Sequence, residues 1–406
     1  MTLLSAYIVS NEFPDDNLSE ILSRLTVKSL LRFSSVSKPW LSLINNPAFV
    51  KLHFTHSAAN CHTAIFIAAF DPWTQKRHFI SVPHHGGPVT HLITLNDASS
   101  NNKREFTEAE HLNGLVLFTS GNGFIENNFA FVVNPSTRKV YKLPGPASVP
   151  FYNYGEVHIC YFFGFDESKN EHKILNIRML GIRSLRPFKP TTVEIMIFSM
   201  STHLWRKIDV DLPFDVSGEH WYLGTKHSIC VHSVIHVMLQ SQNEILAFDL
   251  RKEKFEIVNL PLDAVPRETL KRYYRKGVNM VKSNQPFLMK INGLLGVVCH
   301  NQVRETNELH IWILQDYENR VWGRETITFS KSWFLLDGPF PLNPMLPKDI
   351  IYPNRRLSTD VINVPIYDME NRSMTQVAFT LGHEFLHSGS LRFDLVRSYV
   401  ESIWPL

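Results

Sequence analysis

One pattern recurs six times along this chain and limits what it can fold into. An apolar strand runs into a polar turn, a basic or polar pair follows, and an aromatic or apolar strand leaves. The instances span Phe66–Pro83, Phe131–Pro144, Met196–Ile208, Leu246–Pro261, Ile311–Ile327 and Val364–Phe379. Their turns begin at Asp71, Asn134, Ser199, Asp249, Gln315 and Asp368. The mean spacing is about 59 residues, near but above kelch-like spacing. Each turn has a mechanism: Asp or Asn bonds its own backbone two residues on, and Pro72 and Pro135 fix φ at the next position. Between the hairpins lies a second element, seen at Leu112–Leu117, His232–Val237 and Ile291–Gly296. It reads as a tight turn feeding a buried strand. Two elements per period make about four strands per unit, the make-up of a propeller blade. About six such units would bury one continuous core and hide most strand edges. A β-sandwich or barrel is the alternative for irregular repeats of this kind.

Ahead of the repeats, residues 13–54 carry a different periodicity. Pro14 followed by Asp15 and Asp16 opens a helix, with the acidic pair facing the positive end of its dipole. Leu18, Ile21, Leu22 and Leu25 recur at helical spacing. Val27, Leu30 and Leu31 repeat the pattern after a break at Thr26. Ser37 is a candidate cap for a third helix carrying Trp40, Leu41 and Ile44. A fourth short helix is predicted from Pro47 to Phe54. Helices of about ten residues give a thin core, so many of these side chains should remain available to another protein.

This stretch is similar to an F-box. Glu20-Ile21-Leu22-Ser23-Arg24-Leu25, Val27-Lys28-Ser29-Leu30-Leu31-Arg32-Phe33, Val36-Ser37-Lys38 and Trp40 match that family in order. The departures are Phe13 in place of leucine, Thr26 in place of proline, and Ser34-Ser35 in place of an arginine–cysteine pair. Thr26 is expected to loosen the turn between the first two helices. The remainder resembles the F-box-associated domain found after many plant F-boxes, most specifically at Asn134–Pro144, which reads N-P-S-T-R-K-x-x-x-L-P. Gly164-Phe165-Asp166, Glu171-His172-Lys173-Ile174 and Asn292-Gly293-Leu294-Leu295 also fit.

Composition narrows the function class. Of 406 residues, 44% are hydrophobic and only 19% charged, which argues against extended disorder. The 12% aromatic content favours a β-rich fold. A net charge of +3 does not by itself imply nucleic-acid binding. The four cysteines, at 61, 160, 230 and 299, form no C-x-x-C pair and read as isolated thiols of a reducing compartment. No signal peptide or transmembrane run is visible, so cytosol or nucleus is the expected location.

Two elements invite sharper readings. His383-Glu384-Phe385-Leu386-His387 is an H-E-x-x-H sequence, which in a metallopeptidase needs a helix to put both histidines on one face. Here Gly382 precedes it, Ser388-Gly389-Ser390 follows, and no third ligand is supplied, so a chance match is the reading adopted. The basic, aromatic segment Arg267–Lys276 includes Lys271, Arg272, Tyr273, Tyr274 and Arg275. It suits nucleic acid or an acidic partner, or else a solvated helix in a loop between blades, and a second basic loop, Arg183–Lys189, carries the same alternatives. Nothing in the sequence assembles a nucleophile, a base and an oxyanion site.

The chain is therefore read as an α+β multidomain protein: a tail (1–10), an all-α F-box module (11–55), and an all-β propeller-like domain of about six blades (60–404). The resemblance implies a non-catalytic substrate receptor without cofactor or metal. Its F-box would dock on a Skp-type adaptor, and through it on a cullin-based ubiquitin ligase, while the β domain holds an unidentified target protein. The expected adaptor contacts are Pro14, Leu18, Ile21, Leu22, Leu25, Val27, Leu30, Leu31 and Trp40. The expected target contacts are Arg267, Lys271, Arg272, Tyr273, Tyr274 and Arg275. Two alternatives stay open: an F-box protein that binds without leading to degradation, and a zinc peptidase on His383–His387.

Overall fold

The computed structural model describes residues 15–59, 64–71, 74–83, 85–96, 107–120, 129–145, 156–181, 190–214, 223–239, 244–262, 264, 286–299, 307–328, 348–350, 361–368, 373–382 and 391–406. Four helices come first: α1 (Asp15–Leu22), α2 (Val27–Ser34), α3 (Lys38–Ile44) and α4 (Pro47–Ala59). Ser37 caps α3 as expected, its hydroxyl accepting from the Trp40 amide. Thr26 does not loosen its turn. It takes extended geometry (φ −64°, ψ 151°) and caps α2 by accepting from the Ser29 amide. A threonine supplies the side-chain acceptor that a proline at this position lacks. Helix α4 runs to Ala59, past the expected stop at Phe54 and past the expected module boundary at 55.

The strands of the described residues form six four-stranded sheets. The first holds β1 (Ala64–Asp71), β2 (Lys76–Pro83) and β4 (Thr90–Asn96), with β24 (Arg392–Tyr399) beside β1. The second runs β5 (Thr107–Leu112), β6 (Leu115–Ser120), β7 (Ala130–Asn134), β8 (Lys139–Lys142). The third is β9 (Glu156–Asp166), β10 (Glu171–Gly181), β11 (Pro190–Ser199), β12 (Leu204–Ile208). The fourth is β13 (Leu223–Val231), β14 (Val234–Leu239), β15 (Glu244–Asp249), β16 (Lys254–Asn259). The fifth is β17 (Phe287–Ile291), β18 (Leu294–Cys299), β19 (Glu308–Asp316), β20 (Val321–Thr328). The sixth joins β21 (Lys348–Ile350), β22 (Val361–Asp368) and β23 (Ser373–Thr380) to β3 (Gly87–Pro88). Each sequence-predicted hairpin falls in a different sheet.

Strands β24, β5, β9, β13 and β17 neighbour one another in that order, so the first strand of each of these sheets faces a common axis. This is propeller packing. It buries both faces of the middle strands, and β14 is buried at every residue, as is β10 from its second residue on. Closure uses both ends of the domain. β24 pairs antiparallel with β1, while β3 pairs parallel with β23 at Phe379–Gly87 and Thr380–Pro88. Gly86 makes the second closure possible: its φ is +91°, and a Cβ there would sit 2.4 Å from the Ala378 carbonyl oxygen.

The turns obey two rules. In the second, fourth and fifth sheets, two residues with positive φ suffice between the first two strands: Asn113-Gly114, His232-Ser233 and Asn292-Gly293. These are the primed hairpin turns that suit twisted strands. Longer turns place a left-handed residue four positions after the opening one: Gln75, Arg138, Asn170, His203, Glu253 and Arg320. Their heads are Asp71, Asn134, Asp166, Ser199, Asp249 and Asp316. In the fifth sheet the head is Asp316, one residue after the expected Gln315, because its carboxylate accepts from the Asn319 amide and side chain. Glutamine is one methylene too long to close that ring. The hairpin expected at Asp368 is present in its strands, which pair Asp368 with Ser373.

Candidate functional site

The helical module divides its apolar residues between core and solvent. Leu22, Val27, Leu30, Ile44, Phe49 and Val50 are buried, with Leu18, Leu25, Phe33, Trp40, Leu43 and Phe54 packed against them. Phe33 and Trp40 meet edge-to-face at 4.9 Å and pin α2 to α3. Four other apolar side chains are open to solvent: Ile21 is 54% exposed, Leu31 37%, Val36 69% and Leu41 44%. Lys28, Arg32 and Lys38 are exposed beside them.

The expected adaptor contacts therefore separate. Ile21 and Leu31 are open to solvent. Leu18, Leu25 and Trp40 are partly buried, while Leu22, Val27 and Leu30 are closed off in the core. Pro14 lies outside the described residues. Leu30 and Leu31 show why: adjacent helix positions point about 100° apart, so a leucine pair cannot serve one surface. Val36 and Leu41 are also open and were not among the expected contacts. The signal for Leu41 was available, since Trp40 occupies the inward position beside it.

Polar contacts hold the module's shape. Arg24 pairs with Glu20 at 2.6 Å, and its hydrogen bond holds the Glu20 carboxyl below the usual range. The Ser23 hydroxyl and His56 Nδ1 share a 2.7 Å hydrogen bond. His53 is buried, and its Nε2 lies 3.0 Å from the Leu25 carbonyl oxygen. Burial pushes the His53 pKa down, so its ring is neutral and donates from Nε2.

The module sits on the propeller through residues 400–406. Glu401 Oε2 accepts from the Val27 amide at the N-terminus of α2, 3.1 Å away. Ile403 and Trp404 join the same apolar cluster as the helices, together with Leu115, Leu117, Phe163, Ile174 and Phe198 of the second and third sheets. These contacts gather at the end of the propeller that carries the two-residue turns.

The expected target segment, Arg267–Lys276, lies outside the described residues, as do Arg183–Lys189 and His383–His387. Its anchors are described: Leu260 follows the outer strand β16, and β17 begins at Phe287. Both lie at the end of the fourth and fifth sheets away from the Asp249–Lys254 and Asn292-Gly293 turns. The helical module and the segment's anchors thus occupy opposite ends of the propeller.

Among the described residues, Cys160, Cys230 and Cys299 are free and buried, and burial pushes the Cys230 thiol up to about 11. No helix of the described residues is long and apolar enough to cross a membrane.

Comparison with known proteins matches both regions. The F-box domain family covers residues 11–52, and the F-box associated beta propeller domain family covers residues 64–395. F-box protein At1g30790 of Arabidopsis thaliana is 26% identical over 78% of this chain and 75% of its own length. Putative F-box protein At3g47150 of the same plant is 24% identical over 95% of this chain and 94% of its own. An N-terminal F-box followed by this all-β propeller makes the chain a member of the F-box associated beta propeller family.

Proposed function

We propose that the chain is the substrate-receptor subunit of a Skp–cullin–F-box ubiquitin ligase, acting in the cytosol or nucleus. The observation that carries this reading is the set of open apolar side chains of the F-box. Ile21, Leu31, Val36 and Leu41 remain exposed while the module's other apolar side chains are packed into a core shared with the propeller. Exposed apolar side chains with basic neighbours suit a partner surface that is apolar at its centre and acidic around it. A Skp-type adaptor is the partner that an F-box implies. The receptor makes no bond itself. It raises the local concentration of a target's lysines near the ubiquitin carrier, so its contribution is geometric.

Six four-stranded sheets support a six-bladed propeller, with the F-box module ending near Ala59. The target site is assigned to the propeller end opposite the F-box, where the Arg267–Lys276 segment is anchored. Its basic and aromatic side chains suit an acidic target surface. Coexpression with a Skp-type adaptor tests the reading. The full chain should retain the adaptor through size exclusion, and a triple variant Ile21→Ser, Leu31→Ser, Leu41→Ser should lose it while keeping its circular dichroism spectrum. Retention by the folded triple variant would overturn the docking face.

A further inference from the structure

Five of the longer turns open on an Asp or Asn whose side chain hydrogen-bonds within the turn. Asp71, Asp166, Asp249 and Asp316 do so as carboxylates. Asn134 alone among them is an amide, and it is fully buried. Its Oδ1 does what the carboxylates do, accepting from the Ser136 and Thr137 amides at 3.0 and 3.1 Å. Its Nδ2 does something a carboxylate cannot. It donates to the Ser402 carbonyl at 3.0 Å and to the Trp404 carbonyl at 2.9 Å. All four hydrogen bonds of the amide are used, two on the turn and two on a segment 268 residues away.

The rest of that segment is held as closely. The Ser402 amide donates to Ser136 Oγ at 3.0 Å, and the same oxygen lies 2.5 Å from the Tyr399 hydroxyl. The Trp404 amide donates to Ser402 Oγ, closing a small turn. The Trp404 ring meets Phe165 at 5.6 Å and His172 at 5.3 Å, both edge-on. Gly114 leaves the room: a Cβ on it would lie 2.3 Å from the Ser402 Cβ. From this seat Glu401 reaches the first amide of α2, where a carboxylate meets an orphan donor and the positive end of the helix dipole.

We propose that residues 400–406 are a strap that sets the orientation of the F-box on the propeller, with Asn134 as the residue that holds the strap. This rests on the receptor reading above. There, the F-box fixes the adaptor and the opposite end fixes the target, so the angle between the two modules decides which target lysines meet the ubiquitin carrier. Asn134, Glu401 and Trp404 are then positioning residues that touch neither partner. Without a strap, two modules joined by a short linker move relative to one another.

The test uses Asn134→Asp in the full chain. Aspartate already heads the equivalent turn at four positions of this fold, so the turn is kept. The two donors are lost, and a carboxylate faces two carbonyl oxygens. Spin labels at exposed Lys51 and Lys252 report the distance between the modules. The parent chain should give one narrow distribution. Asn134→Asp should broaden it at least about twofold, as expected for modules released from a shared interface. Glu401→Ala should broaden it less, and Glu401→Gln, which keeps an acceptor for Val27, should restore it. Stopping the chain after Val400 serves as the second variant and should broaden it as Asn134→Asp does. An unchanged narrow distribution in both Asn134→Asp and the shortened chain would overturn the proposal. So would a broad distribution in the parent. Adaptor capture is measured on the same samples: its absence in the parent defeats the receptor reading, whereas its presence with unmoved distances defeats the strap alone.

Discussion

The F-box and the propeller use apolar residues in opposite ways. Of the nine large hydrophobic residues that are exposed among the described residues, four lie in the helical module, between Ile21 and Leu41. The propeller, many times longer, has the other five, scattered singly over its strands and loops. Its middle strands are buried on both faces by neighbouring sheets, so almost every branched side chain has a partner within the domain. A module of four short helices has one inward face per helix, and the apolar residues on its outward face have no intramolecular use. The difference shows that exposed leucine is evidence of function only where the fold could have covered it or the sequence could have replaced it.

The contrast breaks most sharply at a buried charge. Lys173 and Asp166 form a 2.6 Å ion pair with side chains 2% and 0% exposed. Burial pushes the Asp166 carboxyl up, but hydrogen bonds from Lys173 and Ser168 outweigh it and hold the group below its ordinary value. Removing Lys173 leaves the Asp166 carboxylate buried without its counter-ion. Lys173→Met should cost the propeller about 3–5 kcal/mol in denaturant unfolding, the range for broken buried pairs. Adaptor binding by the fraction still folded should be unchanged. A loss below about 1 kcal/mol, the range of an exposed pair, would count against the burial of this pair.

Within the helical module, Leu30→Ala comes next. Leu30 is fully buried in α2, and truncation of such a leucine costs about 2–5 kcal/mol. Because the module shares its core with Ile403 and Trp404, the loss should appear as reduced helicity and as earlier proteolysis around residues 400–406. A variant that kept both would show that the shared cluster contributes little to holding the F-box.

Most of the propeller could be read from the sequence because its determinants are local. A turn head, a left-handed residue four positions on and alternating strands all lie within one hairpin. The one-residue error at Gln315 arose because two polar residues adjoin there, and only side-chain length decides between them. The F-box was legible as a helix set, but not the facing of each residue. Leu30 and Leu31 look alike in sequence, and which of them points inward depends on where α4 and residues 400–406 lie. The strap was not legible at all. Residues 400–406 carry no periodicity, and their partner Asn134 looks like an ordinary turn head until its second pair of hydrogen bonds is seen.

Acid should weaken the propeller to a smaller degree. Burial lowers the His172 pKa to about 3 and that of His236 to about 4. Both rings are neutral in the fold and take up protons only in the unfolded chain, where the ordinary value is near 6.5. The unfolded state therefore binds more protons as pH falls below that value, and stability declines. It is fully present above about pH 6.5 and lost by about 1.4 kcal/mol per pH unit for each histidine down toward pH 4. Thermal unfolding of the β-sheet signal between pH 7.5 and 5 should show this slope. His236→Gln should flatten it, and an unchanged slope in that variant would mean that His236 is not the group involved.

The smallest effect on stability is the sharpest test of the comparison. Leu31 in the F-box and Leu204 in the propeller are both exposed leucines, the second more so. Leu204 is the first residue of β12, on the outer edge of the third sheet, with Arg206 and Lys207 exposed beyond it. Leu204→Ser removes apolar surface that water already reaches and should change unfolding free energy by no more than about 0.5 kcal/mol, while Leu31→Ser also gives up covered surface and should cost about 1 kcal/mol. Their effects on adaptor binding should differ. Leu31→Ser removes a side chain from the open face of the F-box and should weaken the adaptor complex about tenfold, or about 1.4 kcal/mol. Leu204→Ser should leave calorimetric affinity where it was. Equal losses in the two variants would mean that exposure alone, and not position on the helical module, governs the contact. No loss in either would move the docking face away from α2 and toward Ile21, Val36 and Leu41.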